Sequence, residues 1–253
     1  MARITFILLI ALVSFIGLAQ TTADHVIAIN GITTHYTTAG PDTGPAAIMI
    51  HGNGGSYRDM AEATTVMAEA GYHVFALDSR GQGQNAPVSE YHYVDMAHDV
   101  NAFIEALRLQ QPVVLGFSDG GIIAIELAIL HPEKVKAIAT CGANVQPDGI
   151  QPQLFAQFKQ SVDDAIRAGK QVPALTKMML DEPNITAEQL QTISIPALIM
   201  AGENDLVTLD HTAHIHRCIK GSTMLILGGE DHGSYVLSGK AARHFLHFLH
   251  PEK

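Results

Sequence analysis

Gly116-Phe117-Ser118-Asp119-Gly120-Gly121 is the stretch that decides the fold. It follows an apolar run at residues 112–115 and opens a helical pattern over 122–130 that stops before Pro132. Gly-x-Ser-x-Gly between a strand and a helix marks a sharp turn that lifts a serine hydroxyl to a helix N-terminus. The glycines tolerate a strained backbone and close contact with neighbouring elements. The plainer reading of Ser118 is a helix N-cap. The strand before it and the helix after it favour a nucleophile.

Outward from this turn, short β-rich runs alternate with longer helical patterns. Residues 25–29 and 33–38 flank the turn dipeptide Asn30-Gly31 and read as a hairpin. Runs at 46–50, 73–77, 113–115, 135–140, 197–201 and 223–227 read as strands buried on both faces. Helical patterns occupy 58–70, 94–107 and the segment from Ser118 or Asp119 to Leu130. This order predicts an α/β fold with eight strands in a mostly parallel sheet flanked by helices. Residues 145–194 break the alternation, with helical patterns at 154–168, 174–180 and 186–193 and no strand. They read as a small helical lid, or cap, inserted between the sixth and seventh strands.

The chain has 253 residues, enough for one large domain. With 15 Lys+Arg against 25 Asp+Glu, its formal charge of -10 would repel nucleic acid and anionic lipid. Nucleic acid is therefore excluded as a partner, and composition sets no oligomeric state. Residues 1–23 have the pattern of a signal peptide: Arg3, an apolar run over 4–16, and small residues Gly17, Ala19 and Ala23 for cleavage. A membrane span needs about 20 apolar residues, more than this run provides. The expectation is an exported domain, 24–253, periplasmic or secreted and with no stable membrane insertion once the leader is removed.

A serine hydroxyl needs a positioned base, and the base needs an orienting group. His232, in Gly228-Gly229-Glu230-Asp231-His232-Gly233 beyond the last strand, is the candidate base. Asp205, in Ala201-Gly202-Glu203-Asn204-Asp205 beyond the strand before, is the candidate acid, ranked above Asp231, Glu203 and Asp119. Taken singly, Asp205 would read as a cap for a helix over 206–218 and His232 as a loop histidine. The order Ser, Asp, His is that expected for this fold. The glycine-rich turn His51-Gly52-Asn53-Gly54-Gly55 follows a strand, so the oxyanion hole is assigned to the backbone amides of Asn53 and Asp119. His51 reads as structural. Leu154, Phe155, Phe158, Met178 and Met179 of the insertion are candidate pocket residues, and core packing is the alternative for about half of them.

These residues, with Asp78-Ser79-Arg80-Gly81-Gln82-Gly83 after another strand, make the mature chain resemble the α/β-hydrolase superfamily over essentially its whole length. Gly-Phe-Ser-Asp-Gly-Gly-Ile and Gly142-Ala143-Asn144 resemble the valacyclovir hydrolase, or biphenyl hydrolase-like, branch. The resemblance implies a Ser118, Asp205, His232 triad and carboxylic ester hydrolysis without a cofactor. It also implies that Asp119 recognises a substrate ammonium group. Within the superfamily, dehalogenases and epoxide hydrolases carry a carboxylate at the elbow, which disfavours both here. Lactonase, thioesterase, aminopeptidase or aminoacyl-ester hydrolase, carbon-carbon bond hydrolase and perhydrolase activities stay compatible with Ser118, as does a non-catalytic small-ligand sensor.

His211, His214 and His216, and His244, His247 and His250, lack the spacing of a zinc-binding helix, so no metal is assigned. Cys141 and Cys218 are expected at opposite edges of the sheet as two free, buried thiols.

Overall fold

The protein is described here by a computed structural model covering residues 23–251. Its eight strands are β1 (Ala23–Ile29), β2 (Ile32–Ala39), β3 (Ala46–Ile50), β4 (His73–Leu77), β5 (Val113–Phe117), β6 (Ala137–Cys141), β7 (Ala197–Asn204) and β8 (Thr223–Asp231). They form one sheet in the order β1-β2-β4-β3-β5-β6-β7-β8. The β1–β2 and β2–β4 pairs are antiparallel and every other pair is parallel. The helices are α1 (Ala61–Glu69), α2 (Tyr93–Ala106), α3 (Asp119–Leu130), α4 (Pro152–Arg167), α5 (Ala174–Asp181), α6 (Ala187–Gln191), α7 (Leu209–Cys218), α8 (Ser234–Leu237) and α9 (Lys240–Leu249).

The uninterrupted apolar strands follow from this two-sided cover. Along β3, Ile48 and Ile50 enter one core with Met96 and Phe103 of α2 and Ile122 of α3. Ala47 and Met49 enter the other with Met67 of α1 and Phe245 of α9. A polar residue at any of these positions would be buried on one side or the other. The expectation fails for 223–227: β8 is the sheet edge, Met224 is 38% exposed and only Leu227 is buried.

Strand order reverses between β3 and β5. The chain moves outward from β3 to β4, then returns across β3 to place β5 on its other side. Loops leaving the carboxyl ends of β3 and β5 diverge there and open a crevice, the usual ligand position in an open α/β sheet.

Between β6 and β7 the chain forms α4, α5 and α6, and these divide into two parts. None of α4 is fully buried. By contrast Ile185, Leu190 and Ile193, around α6, belong to the main core. Gln151 N donates to Leu206 O at 2.8 Å and Thr208 N to Gly149 O at 3.0 Å, tying the start of this segment to the loop after β7. That tether keeps 206–208 out of helix, so α7 starts at Leu209, and Thr208 rather than Asp205 caps it.

Residues 1–22, which carry nearly all of the expected leader, lie outside the described residues. Ala23, its last residue, already pairs with Thr38 in the sheet. Among the described residues no helix is long and apolar enough to cross a membrane, and no group of three or more His, Cys, Asp or Glu side chains could hold a metal ion. Cys141 and Cys218 are unpaired. Cys141 is buried, but Cys218 is only half-buried at the end of α7, where its sulfur lies 3.8 Å from His214 Nε2.

Candidate active site

Ser118 adopts φ 53° and ψ −116°, a left-handed conformation that a serine holds only when its surroundings impose it. Close packing imposes it here. A Cβ on Gly116 would lie 2.0 Å from Gly120 O, and one on Gly120 would lie 2.2 Å from Ile50 O. The glycines thus let α3 descend onto β3 and β5. Ser118 N donates to Cys141 O at 2.7 Å, fixing the turn to β6.

The structure brings Ser118, His232 and Asp205 together. His232 Nε2 lies 3.0 Å from Ser118 Oγ, and its Nδ1 lies 2.6 Å from Asp205 Oδ1. Asp205 is buried and also accepts from Gly202 N (3.0 Å), Val207 N (3.1 Å) and, more loosely, Tyr235 OH (3.4 Å). Burial works to raise its pKa, but the His232 hydrogen bond and charge and the two backbone amides outweigh that and hold the carboxyl below its usual range. Gly142, at φ +62°, gives the pair its room: a Cβ there would sit 2.7 Å from His232 Nδ1. A carboxylate fixed on Nδ1 makes Nδ1–H the donor and leaves Nε2 free to accept the serine proton.

The loop after β3 is held on several sides. His51 is buried, its Nδ1–H donating to Gly52 O at 2.7 Å and its Nε2 accepting from Ser79 N at 2.9 Å. Burial lowers its pKa, opposed by the Gly52 carbonyl, in keeping with a neutral structural ring. Gln82 Oε1 accepts from Gly54 N at 2.7 Å. Asn53 Nδ2 donates to Asp119 Oδ2 at 2.8 Å. Among the described residues neither the Asn53 nor the Asp119 backbone amide has a protein acceptor. Asp119 is buried, and desolvation pushes its pKa up to about 6 against the Asn53 and Tyr93 side chains and the His232 charge.

Two spaces meet at Ser118. An inner cavity of about 60 Å³ is lined by Tyr93, Asp119, Asn144, Leu154 and Glu182 among others. An outer cleft of about 340 Å³ is bounded by Asn53, Asp59, Phe117 and Thr176. Ser118, Phe158, Met179, Leu206 and His232 face both. Of the five insertion residues expected at a pocket, Leu154, Phe158 and Met179 are there. Met178 is not: it turns to the opposite side of α5 and is buried in the main core. Phe155 lines neither space.

Tyr93 and Glu182 were not singled out by sequence. Glu182 Oε2 accepts from Tyr93 N at 3.1 Å and Oε1 lies 2.5 Å from His92 Nδ1, so a residue at the end of α5 caps α2. No local pattern announces this contact. Asn144 was announced by the triplet that contains it.

A strained serine at the switch point of an α/β sheet, with a histidine-carboxylate pair on its hydroxyl, is the architecture of a hydrolase. The profile of the alpha/beta hydrolase fold matches residues 45–181, and the chain belongs to that family. Serine hydrolase BPHL of Homo sapiens is 25% identical over 241 residues, covering 83% of this chain and 80% of that protein. Bifunctional epoxide hydrolase 2 of Sus scrofa is 30% identical over 126 residues, 49% of this chain but only 22% of that protein's length. Among solved structures, carboxylesterase CesB of Bacillus subtilis shares the fold with a TM-score of 0.74, at 16% identity over 92% of this chain and 93% of that one.

Proposed function

We propose that this protein is a serine hydrolase that cleaves small carboxylic esters through an acyl-enzyme. The observation that carries the proposal is the 3.0 Å approach of His232 Nε2 to Ser118 Oγ, with Asp205 on the other ring nitrogen. Ser118 Oγ attacks the carbonyl carbon while its proton passes to His232. The carbonyl electrons move to oxygen, where the Asn53 and Asp119 amides receive the charge. Collapse breaks the ester bond, and His232 returns the proton to the leaving alcohol. Water then attacks the acyl group by the same route and releases the acid.

Pocket chemistry supports the substrate class. The inner cavity is far below the roughly 300–1,000 Å³ of drug-sized sites, which favours a short acyl or alcohol group. Among the described residues its lining holds the carboxyl groups of Asp119 and Glu182 and no Lys or Arg, so neutral or cationic substrates fit better than anionic ones. The same two groups favour a second reading, an aminoacyl ester whose ammonium faces Asp119. Epoxide opening is disfavoured because Ser118 stands where that chemistry uses a carboxylate. Leu154, Phe158 and Met179 act as the lid over the nucleophile in this reading.

The test is turnover of p-nitrophenyl acetate, butyrate, octanoate and an aminoacyl p-nitrophenyl ester by wild type and Ser118→Ala. The expected result is turnover of the short esters that Ser118→Ala abolishes. Fluorophosphonate labelling without turnover of any ester, thioester, lactone or aminoacyl substrate would instead favour a ligand sensor. We propose too that residues 1–23 direct export, on the strength of Arg3 and the apolar run after it. Intact mass of the protein from its natural source should then lack about 23 residues; a chain retaining Met1–Ala23 would refute it.

A further inference from the structure

The two oxyanion amides come from different segments, the Asn53 amide from the loop after β3 and the Asp119 amide from the first turn of α3. Each segment has anchors of its own, and a relative shift of about 1 Å between them is enough to weaken a preorganised site severely. Yet the side chains of these same two residues are bonded to each other, Asn53 Nδ2 to Asp119 Oδ2 at 2.8 Å. The bond is sheltered: Asp119 is only 5% exposed, and Tyr93 of α2 lies against its carboxylate. Losing the Asn53 donor would leave a desolvated carboxylate short of a partner, so the bond has strong reason to persist.

We propose that the Asn53–Asp119 side-chain bond is a clamp that sets the spacing of the two oxyanion amides, making both side chains positioning residues for the reaction. This rests on the serine hydrolase reading above. It gives the Asp119 carboxylate a duty that is the same for every substrate, neutral or charged. Other bonds hold the loop on either side of Asn53: Gln82 Oε1 accepts from Gly54 N, Gly55 N donates to Gly52 O, and His51 bonds Gly52 O and Ser79 N. Among the described residues, the Asn53–Asp119 bond alone ties the loop to the elbow through the oxyanion residues themselves.

The test uses p-nitrophenyl acetate, which has no ammonium, and compares Asn53→Ala, Asp119→Ala, the double variant and Asp119→Asn. Both single alanine variants keep their backbone amides, so kcat should fall about 10–100-fold with KM within about threefold. The double variant should be no worse than the more impaired single one, because either change breaks the same bond. Asp119→Asn keeps a carbonyl acceptor for Asn53 Nδ2 and should recover kcat to within about threefold of wild type. Thermal unfolding of each variant separates a folding loss from a kinetic one. If an alanine variant does not fold, Asp119→Asn together with Asn53→Asp, which exchanges donor and acceptor, carries the test: retained kcat supports the clamp and lost kcat refutes it. Losses that multiply in the double variant, or an Asp119→Asn variant as slow as Asp119→Ala, would overturn the clamp. Loss confined to KM for aminoacyl esters would overturn it in favour of ammonium recognition. Wild type inactive toward every ester would sink the hydrolase reading itself, a different outcome from active wild type with unclamped variants.

Discussion

Asp205→Asn exchanges one oxygen for an NH2 and leaves shape almost unchanged, so its effect reads out hydrogen-bond logic. The carboxylate faces two pairs of donors. Oδ1 meets His232 Nδ1 at 2.6 Å and Val207 N at 3.1 Å, and Oδ2 meets Gly202 N at 3.0 Å and Tyr235 OH at 3.4 Å. An asparagine can satisfy only one pair. With its oxygen toward Gly202, the NH2 faces His232 Nδ1, which must then accept; the ring proton moves to Nε2 and points at Ser118, so the base is lost. With its oxygen toward His232, the NH2 faces Gly202 N–H, and that orphaned donor lowers stability by about 1–3 kcal/mol. Either way the negative charge that supports the imidazolium is gone. The expected loss in kcat is about 10³–10⁴-fold, the scale of the same change in Ser-His-Asp proteases, or about 4–5.5 kcal/mol of transition-state stabilisation. Steady-state hydrolysis of p-nitrophenyl acetate at pH 8 measures it, with a melting curve as the folding control. A folded variant within tenfold of wild-type kcat would refute Asp205 as the orienting acid.

Gly142→Ala puts a Cβ 2.7 Å from His232 Nδ1 and 3.1 Å from Asp205 Oδ1, so kcat should drop at least about tenfold while the sheet still folds, as far-UV circular dichroism would show. Phe158→Ala opens the wall between inner cavity and outer cleft; kcat/KM for octanoate relative to acetate should rise several-fold, and an unchanged ratio would remove Phe158 from the acyl boundary. His211 Nε2 accepts from Val145 N at 2.9 Å, and burial lowers its pKa from 6.5 to about 4. Because the folded pKa lies below the unfolded one, the contribution of this half-buried ring is complete above pH 6.5 and lost as pH falls toward 4, by about 1–2 kcal/mol at pH 4.5 with solvent screening. His211→Gln removes that proton uptake, so the stability gap between wild type and variant in urea should narrow by about this amount from pH 7.5 to 4.5; a constant gap would contradict the half-buried neutral ring.

Residues 46–50 and 73–77 were readable as strands to the residue because both faces are buried and turns bound them on each side. The 223–227 run carries the same apolar letters, but nothing in its own composition says that β8 has no neighbour beyond it. Ser118, Asp205 and His232 could be assembled from chain order alone, since the fold sends the ends of β5, β7 and β8 to one edge. What stayed illegible depends on long-range pairing. The α7 start moved from 206 to Leu209 because residues 149–151 zip onto the loop after β7. Met178 and Met179 are adjacent letters of one helix, and only the fold tells which faces the core and which faces Ser118. Tyr93 and Glu182 meet the site from 25 and 64 residues away from Ser118, without any motif to announce them. The sequence assigned a duty to the Asn53 backbone amide only, whereas its side chain also bonds Asp119 across two segments.

The central claim is that Ser118 is a nucleophile activated by His232. The direct measurement is reaction of the folded protein with a fluorophosphonate, followed by peptide mass spectrometry. One adduct on Ser118, absent in Ser118→Ala and formed at least about 100-fold more slowly in His232→Ala, is the predicted result. An adduct on another residue, labelling that survives Ser118→Ala, or a folded wild type that takes up no label would contradict it.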